Sequence, residues 1–281
     1  MQNFQRTLRC YYNWLARGGL PTPAEGWLPA IRNAGYDGVQ FVEPLKTERL
    51  SECRDLNLGV CGSGRVNAPG DAFRLAEEAS RAGLECLTLH VGWGIEDDRV
   101  ASDLLEAVLQ ASAQTGLPLY VETHRATIFQ DMWRTVRFVH QYPEIRVNGD
   151  FSHWYTGLEM VYGSFDDKLA FMQPVLERIR FLHGRIGNPG CMQVNVGDVE
   201  NARKLPFVQH FCRLWEAAFT AWLQQDNAPP SICFAAELLA PDFYYARVFQ
   251  GEEESDRWQQ SLVLTELARL CFSASLRNVG R

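Results

Sequence analysis

Four apolar runs from residue 117 onward carry side chains that can do chemistry. LPLYVETH (117–124) closes on Glu122 and His124, and NGDFSHWY (148–155) places Asp150 and His153 three residues apart. IRFLHGRIG (179–187) carries His183 and Arg185, and SICFAAELLA (231–240) sets Glu237 among alanines and leucines. Two earlier runs add Glu43 in GVQFVEP (38–44) and His90 in CLTLHVGW (86–93). A carboxylate inside an apolar run loses its hydration, so it must meet a cation, take up a proton or bind a metal. Glu122 and Glu237 both make that demand, and Asp150 and His183 supply two further groups. Three carboxylates and one imidazole form an oxygen-rich donor set suited to Mn²⁺, Mg²⁺ or Co²⁺, with Zn²⁺ also accommodated. A salt-bridge network with Arg125, Arg146 and Arg185 is the competing reading, and Asn-Gly-Asp taken alone is ordinary turn chemistry. On the residues alone both stay open.

Which elements must bring these groups together follows from the rest of the pattern. Short apolar runs without strict polar alternation recur at 8–14, 38–44, 56–62, 86–93, 117–124, 145–154, 179–187 and 231–240, as expected of strands covered on both faces. Amphipathic stretches at 71–84, 99–116, 127–141, 165–179, 205–225 and 256–276 lie between or after them and predict helices. Gly116 and the AGYDG and AGLEC segments mark helix-to-strand turns. Alternating strands and helices pair in parallel, and eight such units in 281 residues predict an α/β chain folded as a single (β/α)8 TIM-barrel domain over residues 1–281. The first strand is followed by YYNWLARGG, which lacks the glycine-rich phosphate turn of a doubly wound sheet. In a (β/α)8 barrel the active site lies at the C-terminal ends of the strands, where the residues above fall. Trp14, Trp93, Trp154 and Tyr155 near that rim are candidates either to stack on a ligand or to pack under loops. The stretch after the seventh strand, GNPGCMQVNVGDVENARK, is a candidate lid or a structural loop.

A net charge of −7 argues against nonspecific attraction to nucleic acid. No run approaches a membrane span, and MQNFQRTLRC does not read as a signal peptide, so the expectation is a cytoplasmic protein without a membrane partner. The eight cysteines show no zinc-finger spacing, and core packing accounts for most of them.

The set resembles the xylose-isomerase-like TIM-barrel superfamily of sugar isomerases and epimerases, which also contains endonuclease IV. The matching residues are Glu122 in VETH, Asp150 and His153 in GDFSHW, His183 in FLHGRIGNPG and Glu237 in FAAEL. The resemblance implies one divalent ion held by Glu122, Asp150, His183 and Glu237, with Glu122 and Glu237 also moving the proton. It implies substrate contacts from His153 and Arg185, to which His90, Glu43, His124 and Trp154 are added as pocket candidates. The implied reaction is isomerisation or epimerisation of a small sugar or hydroxy-keto compound through an enediolate, in a chain that forms a homodimer or homotetramer. A dehydratase of the same superfamily is the nearest alternative, followed by a nuclease and a noncatalytic binding barrel. ETHRAT lacks the lysine of xylose isomerase proper, and MQVNVGDVE lacks the extra histidine of endonuclease IV.

Overall fold

The computed structural model describes residues 6–42 and 47–280, so Glu43 lies outside the described residues. Eight parallel strands close into a barrel in sequence order: β1 (Thr7–Asn13), β2 (Gly38–Phe41), β3 (Gly59–Val66), β4 (Leu87–Val91), β5 (Leu119–Glu122), β6 (Arg146–Gly149), β7 (Ile179–His183) and β8 (Ser231–Ala236). The ring shuts where β1 pairs with β8, from Thr7 opposite Ser231 to Tyr12 opposite Ala236. Around it run α1 (Trp27–Asn33), α2 (Thr47–Asp55), α3 (Pro69–Ala82), α4 (Asp98–Thr115), α5 (Met132–Gln141), α6 (Phe151–Gly157), α7 (Phe165–Phe171), α8 (Gln173–Leu176), α9 (Val199–Ala202), α10 (Pro206–Leu223) and α11 (Arg257–Val279). A two-stranded hairpin, β9 (Val248–Phe249) and β10 (Glu252–Glu253), projects from the connection between β8 and α11. The predicted α/β barrel is therefore the observed architecture.

Local chemistry sets the element ends. Asp97, Asp131 and Asp256 cap α4, α5 and α11 by accepting backbone N–H groups, and Gly83 and Gly116 end α3 and α4 at φ of 74° and 69°. The Asp131 cap also corrects the predicted 127–141 helix, which begins only at Met132. The predicted 165–179 helix is broken into α7 and α8 around Pro174. The sixth strand stops at Gly149 rather than running to 154, because the Asp150 side chain accepts the Ser152 N–H and starts α6. Strand β3 runs further than its apolar residues suggest, because pairing with β4 continues to Val66 opposite Val91.

Side chains that point into the barrel follow the period of two along each strand. At the bottom, Tyr11, Cys61, Cys86, Phe181 and Ala235 form an apolar plug separate from the larger core between strands and helices. Two residues further along the strands the interior turns polar, with Asn13, Gln40, Thr88, Glu122, Asn148 and His183 all buried. All eight cysteines are free, and Cys10, Cys53, Cys61, Cys86 and Cys271 are buried among apolar neighbours.

Gly184 shows how closely the strands pack against the surrounding helices. A Cβ at that position would lie 1.9 Å from the Phe234 ring, itself in edge contact with Trp215. Gly184→Ala is expected to lower stability by about 1–3 kcal/mol through overpacking. Urea denaturation checks this, and Phe234→Leu in the same chain should return part of the loss.

Candidate functional site

Strands β5 to β8 are consecutive neighbours, so their C-terminal ends form one arc of the rim. One potential ligand atom from each of Glu122, Asp150, His183 and Glu237 lies within 4.8 Å of the others. Strand register explains the support beneath them. Glu122 pairs with Asn148 across β5 and β6, and Asn148 Nδ2 donates to Glu122 Oε2 at 3.0 Å while lying 3.0 Å from His183 Nδ1. Asn13 pairs with Gln40 across β1 and β2, and Asn13 Nδ2 donates to Gln40 Oε1 at 3.1 Å. Gln40 Nε2 in turn donates to Thr88 Oγ1 at 2.9 Å. An amide oxygen can only accept, so His183 Nε2, 3.0 Å from Gln40 Oε1, carries a proton. Nδ1 is thereby aimed into the cluster, 3.3 Å from Glu122 Oε2 and 3.5 Å from Glu237 Oε2. The register of β6 on β7 shifts between Val147 and Asn148, a local irregularity that re-aims the side chains around it.

Asp150 is held from two sides. Its Oδ1 accepts the Ser152 N–H at 3.0 Å and the Ser152 hydroxyl at 2.5 Å, while Oδ2 takes Arg185 Nη2 at 2.7 Å. The same Arg185 nitrogen donates to Glu237, so the guanidinium bridges two members of the quartet. Burial disfavours the charged carboxylates, but His90 and His183 outweigh it at Glu122 and hold that group well below the usual range. Arg185 and then His153 do the same for Asp150. At Glu237 burial wins and the group is pushed up. Burial works against the imidazolium of His183, yet Glu237 and Glu122 together push it up to about 9. The cluster thus collects positive charge from Arg185 and from a proton on His183.

The remaining expected residues divide. His90 lies with Nε2 3.1 Å from Glu122 Oε1, and His90, Glu122 and His124 form a second trio of potential ligands. His90, His124 and His153 line up with ring centroids 4.4 and 3.8 Å apart. His124 Nδ1 accepts the Ala126 N–H, and burial followed by the neighbouring His153 keeps it neutral. His153 is fully buried, and its ring nitrogens have no well-formed hydrogen bond, with Nε2 3.4 Å from Asp150 Oδ2.

Trp154 departs from the pocket role expected of it. It sits on α6 rather than at a strand end, has no exposure, and donates its indole N–H to the Phe129 carbonyl. Trp14 and Tyr155 are likewise packed, and Trp93 is 54% exposed at the mouth. Arg146 belongs to no network with the quartet, because it donates to the Pro143 and Ile145 carbonyls before the start of β6. The stretch after β7 is pinned as a structural loop: Gln193 exchanges two hydrogen bonds with the Leu239 backbone, and Val196 N–H donates to Gln260.

Four participants escaped the sequence. Gln40 and Asn148 were findable, since each breaks an apolar strand at an inward position two residues from another site or core residue. Arg65 sits in GSGRV, which reads as a turn. Tyr245 lies on the connection after β8, where its ring packs 4.5 Å from the Arg185 guanidinium and 6.1 Å from His153. No periodicity marks it.

No protein-family model and no curated protein matches the chain. Solved structures do. A probable 3-DHS dehydratase from Bacillus anthracis, described as involved in petrobactin synthesis, is similar with 12% identity and a TM-score of 0.58, over 93% of this chain and 98% of its own. A xylose isomerase domain protein from Planctomyces limnophilus is similar with 14% identity and a TM-score of 0.55, over 96% and 98%. A D-tagatose 3-epimerase-like protein is similar with 13% identity and a TM-score of 0.58, over 95% and 99%. The chain thus has the xylose-isomerase-like TIM-barrel fold, at identities that show the fold and not the reaction. No helix among the described residues is long and apolar enough to cross a membrane.

Because Arg185 is the fixed cation between Asp150 and Glu237, its loss leaves buried carboxylates uncompensated. In chelator-treated protein Arg185→Leu is expected to cost about 3–5 kcal/mol of unfolding free energy. The drop in urea midpoint measures it.

Proposed function

We propose that the chain is a divalent-metal-dependent isomerase or epimerase of a small sugar or hydroxy-keto compound. The observation that carries this reading is the convergence of Glu122, Asp150, His183 and Glu237 at the rim of β5 to β8. The donor set fits a single hard ion. Three buried carboxylates are balanced by Arg185 and one divalent cation, whereas two such ions would leave an excess of positive charge. Mn²⁺, Mg²⁺ and Co²⁺ suit these ligands best, and Zn²⁺ is accommodated. An ion held there supplies Lewis-acid chemistry toward a carbonyl oxygen and its neighbouring hydroxyl.

The chain's own residues divide the remaining work. Glu122 at the end of β5 and Glu237 just after β8 both approach Nδ1 of His183. A substrate carbon lying between them gives up a proton to one carboxylate and regains one from the other. Return to the neighbouring carbon is isomerisation, and return to the same carbon from its other face is epimerisation. His153, buried beside Asp150 with no well-formed hydrogen bond to its ring nitrogens, orients a substrate hydroxyl. Gln40 and Asn148 hold His183 and Glu122 in place and set the tautomer of the imidazole.

Protein purified without chelator should carry near one divalent ion per chain by elemental mass spectrometry, and Glu237→Gln should lose it. Gln40→Met should lower metal affinity by about 10–100-fold while leaving the circular dichroism spectrum unchanged. Metal-loaded protein incubated with ketoses and hydroxy-keto acids in deuterium oxide should place deuterium on the carbon next to the carbonyl. Release of water with formation of a double bond would place the chain with dehydratases instead. A chain that takes up no metal contradicts the proposal outright.

A further inference from the structure

We propose that the substrate carries an anionic group, a carboxylate or a phosphate, received by Arg65 and Arg125 at the mouth of the site. This rests on the metal-dependent reading above and narrows it from sugars in general to their acids or phosphate esters.

The mouth holds positive charge that the quartet does not use. Arg65 stands beside His90 in the register of β3 and β4, with Nη2 3.2 Å from His90 Nδ1. Its Nη1 donates to the Gly92 carbonyl at 2.6 Å and the Ala126 carbonyl at 3.3 Å, and the guanidinium lies 3.9 Å from the Trp93 ring. None of these partners is an acid. The acid nearest in the same loop, Glu96, turns its oxygens to the N–H groups of Trp93 and Gly94. Among the described residues no carboxylate comes within 4.0 Å of Arg65 or of Arg125.

Arg65 is therefore a positioned cation that makes no direct ion pair, and it meets the charge of Glu122 only through His90. Arg125 is exposed and lies 5.2 Å from the ring of Tyr245, the same ring that covers Arg185 and meets His153 edge-on. The row of three imidazoles joins the two ends of this arrangement, running from His90 beside Arg65 to His153 beside Asp150.

Polar side-chain atoms below the mouth bear on the ligand as well. His153 Nδ1 and Nε2 and Arg185 Nε and Nη1 are buried without hydrogen-bond partners. Polar atoms buried beside the quartet are normally hydrogen-bonded, so a ligand oxygen placed there would find partners ready. A neutral sugar supplies oxygens for His153 but makes no use of the positive charge of Arg65 and Arg125. A carboxylate or phosphate satisfies them, because a guanidinium fork matches either oxyacid. One bound anion would also give a use to two arginines at this mouth in a chain of net charge −7.

The test is isothermal titration of metal-loaded protein with 2-keto-D-gluconate, D-fructose 6-phosphate and D-fructose, at low and at high salt. The expected result is that at least one anionic probe binds on the order of tenfold more tightly than fructose, an advantage that shrinks with salt. Arg65→Gln and Arg125→Gln should each remove most of that advantage, with metal content unchanged and the circular dichroism spectrum retained. Preference for the keto acid identifies a carboxylate, and preference for the ester identifies a phosphate. Equal binding of all three probes, no binding of either anion at millimolar concentration, or a preference that survives in the double variant overturns the proposal. Metal content determined on the same samples separates this outcome from a failure of the metal reading.

Discussion

Glu122 and Asp150 are wholly withdrawn from water and Glu237 nearly so, and the need to neutralise them organises everything around the barrel rim. A buried carboxylate is tolerated only when a cation and hydrogen bonds replace its hydration. Arg185 bridges Asp150 and Glu237, His183 is driven to hold a proton against them, and His90 leans on Glu122. The same demand makes the cluster a place for a divalent ion, since such an ion meets three carboxylates at once where an arginine reaches two. Arg185 then stands in this structure as the nearest cation the chain itself can offer.

The barrel prepares this site from below. Its interior is layered by the two-residue period of the strands, so that an apolar plug of Tyr11, Phe181, Cys61 and Cys86 carries a polar layer of Asn13, Gln40, Thr88 and Asn148. The plug keeps the floor dry, which strengthens each electrostatic contact above it. The amides in the next layer have their orientations fixed by one another, from Asn13 through Gln40 to Thr88 and His183. Reacting groups set on strand ends over such a floor lose little freedom when a ligand arrives, which is the physical content of preorganisation.

How much of this could be read beforehand follows from how each group announces itself. The strands were visible because each is built on a short apolar run, and Glu122 and Glu237 were visible because they interrupt such runs. Asp150 and His183 followed from position alone, at the ends of neighbouring strands. Trp154 misled because the chain turns into a helix one residue after Asp150, and the side chain that makes the turn is that same aspartate. Arg65 was hidden because the glycines and serine around it carry no apolar signal, although pairing with β4 makes them strand. Tyr245 was hidden because a loop residue reaches a site through the path of the chain, which no local pattern records.

Anomalous diffraction from a crystal soaked in Mn²⁺ tests the central claim most directly. The account predicts a single peak per chain, bounded by the carboxylates of Glu122, Asp150 and Glu237 and by His183 Nδ1. It also predicts that the Arg185 guanidinium has withdrawn from between Asp150 and Glu237. An empty map with Arg185 still bridging the two carboxylates would mean that the quartet is a closed charge network, and would contradict the account.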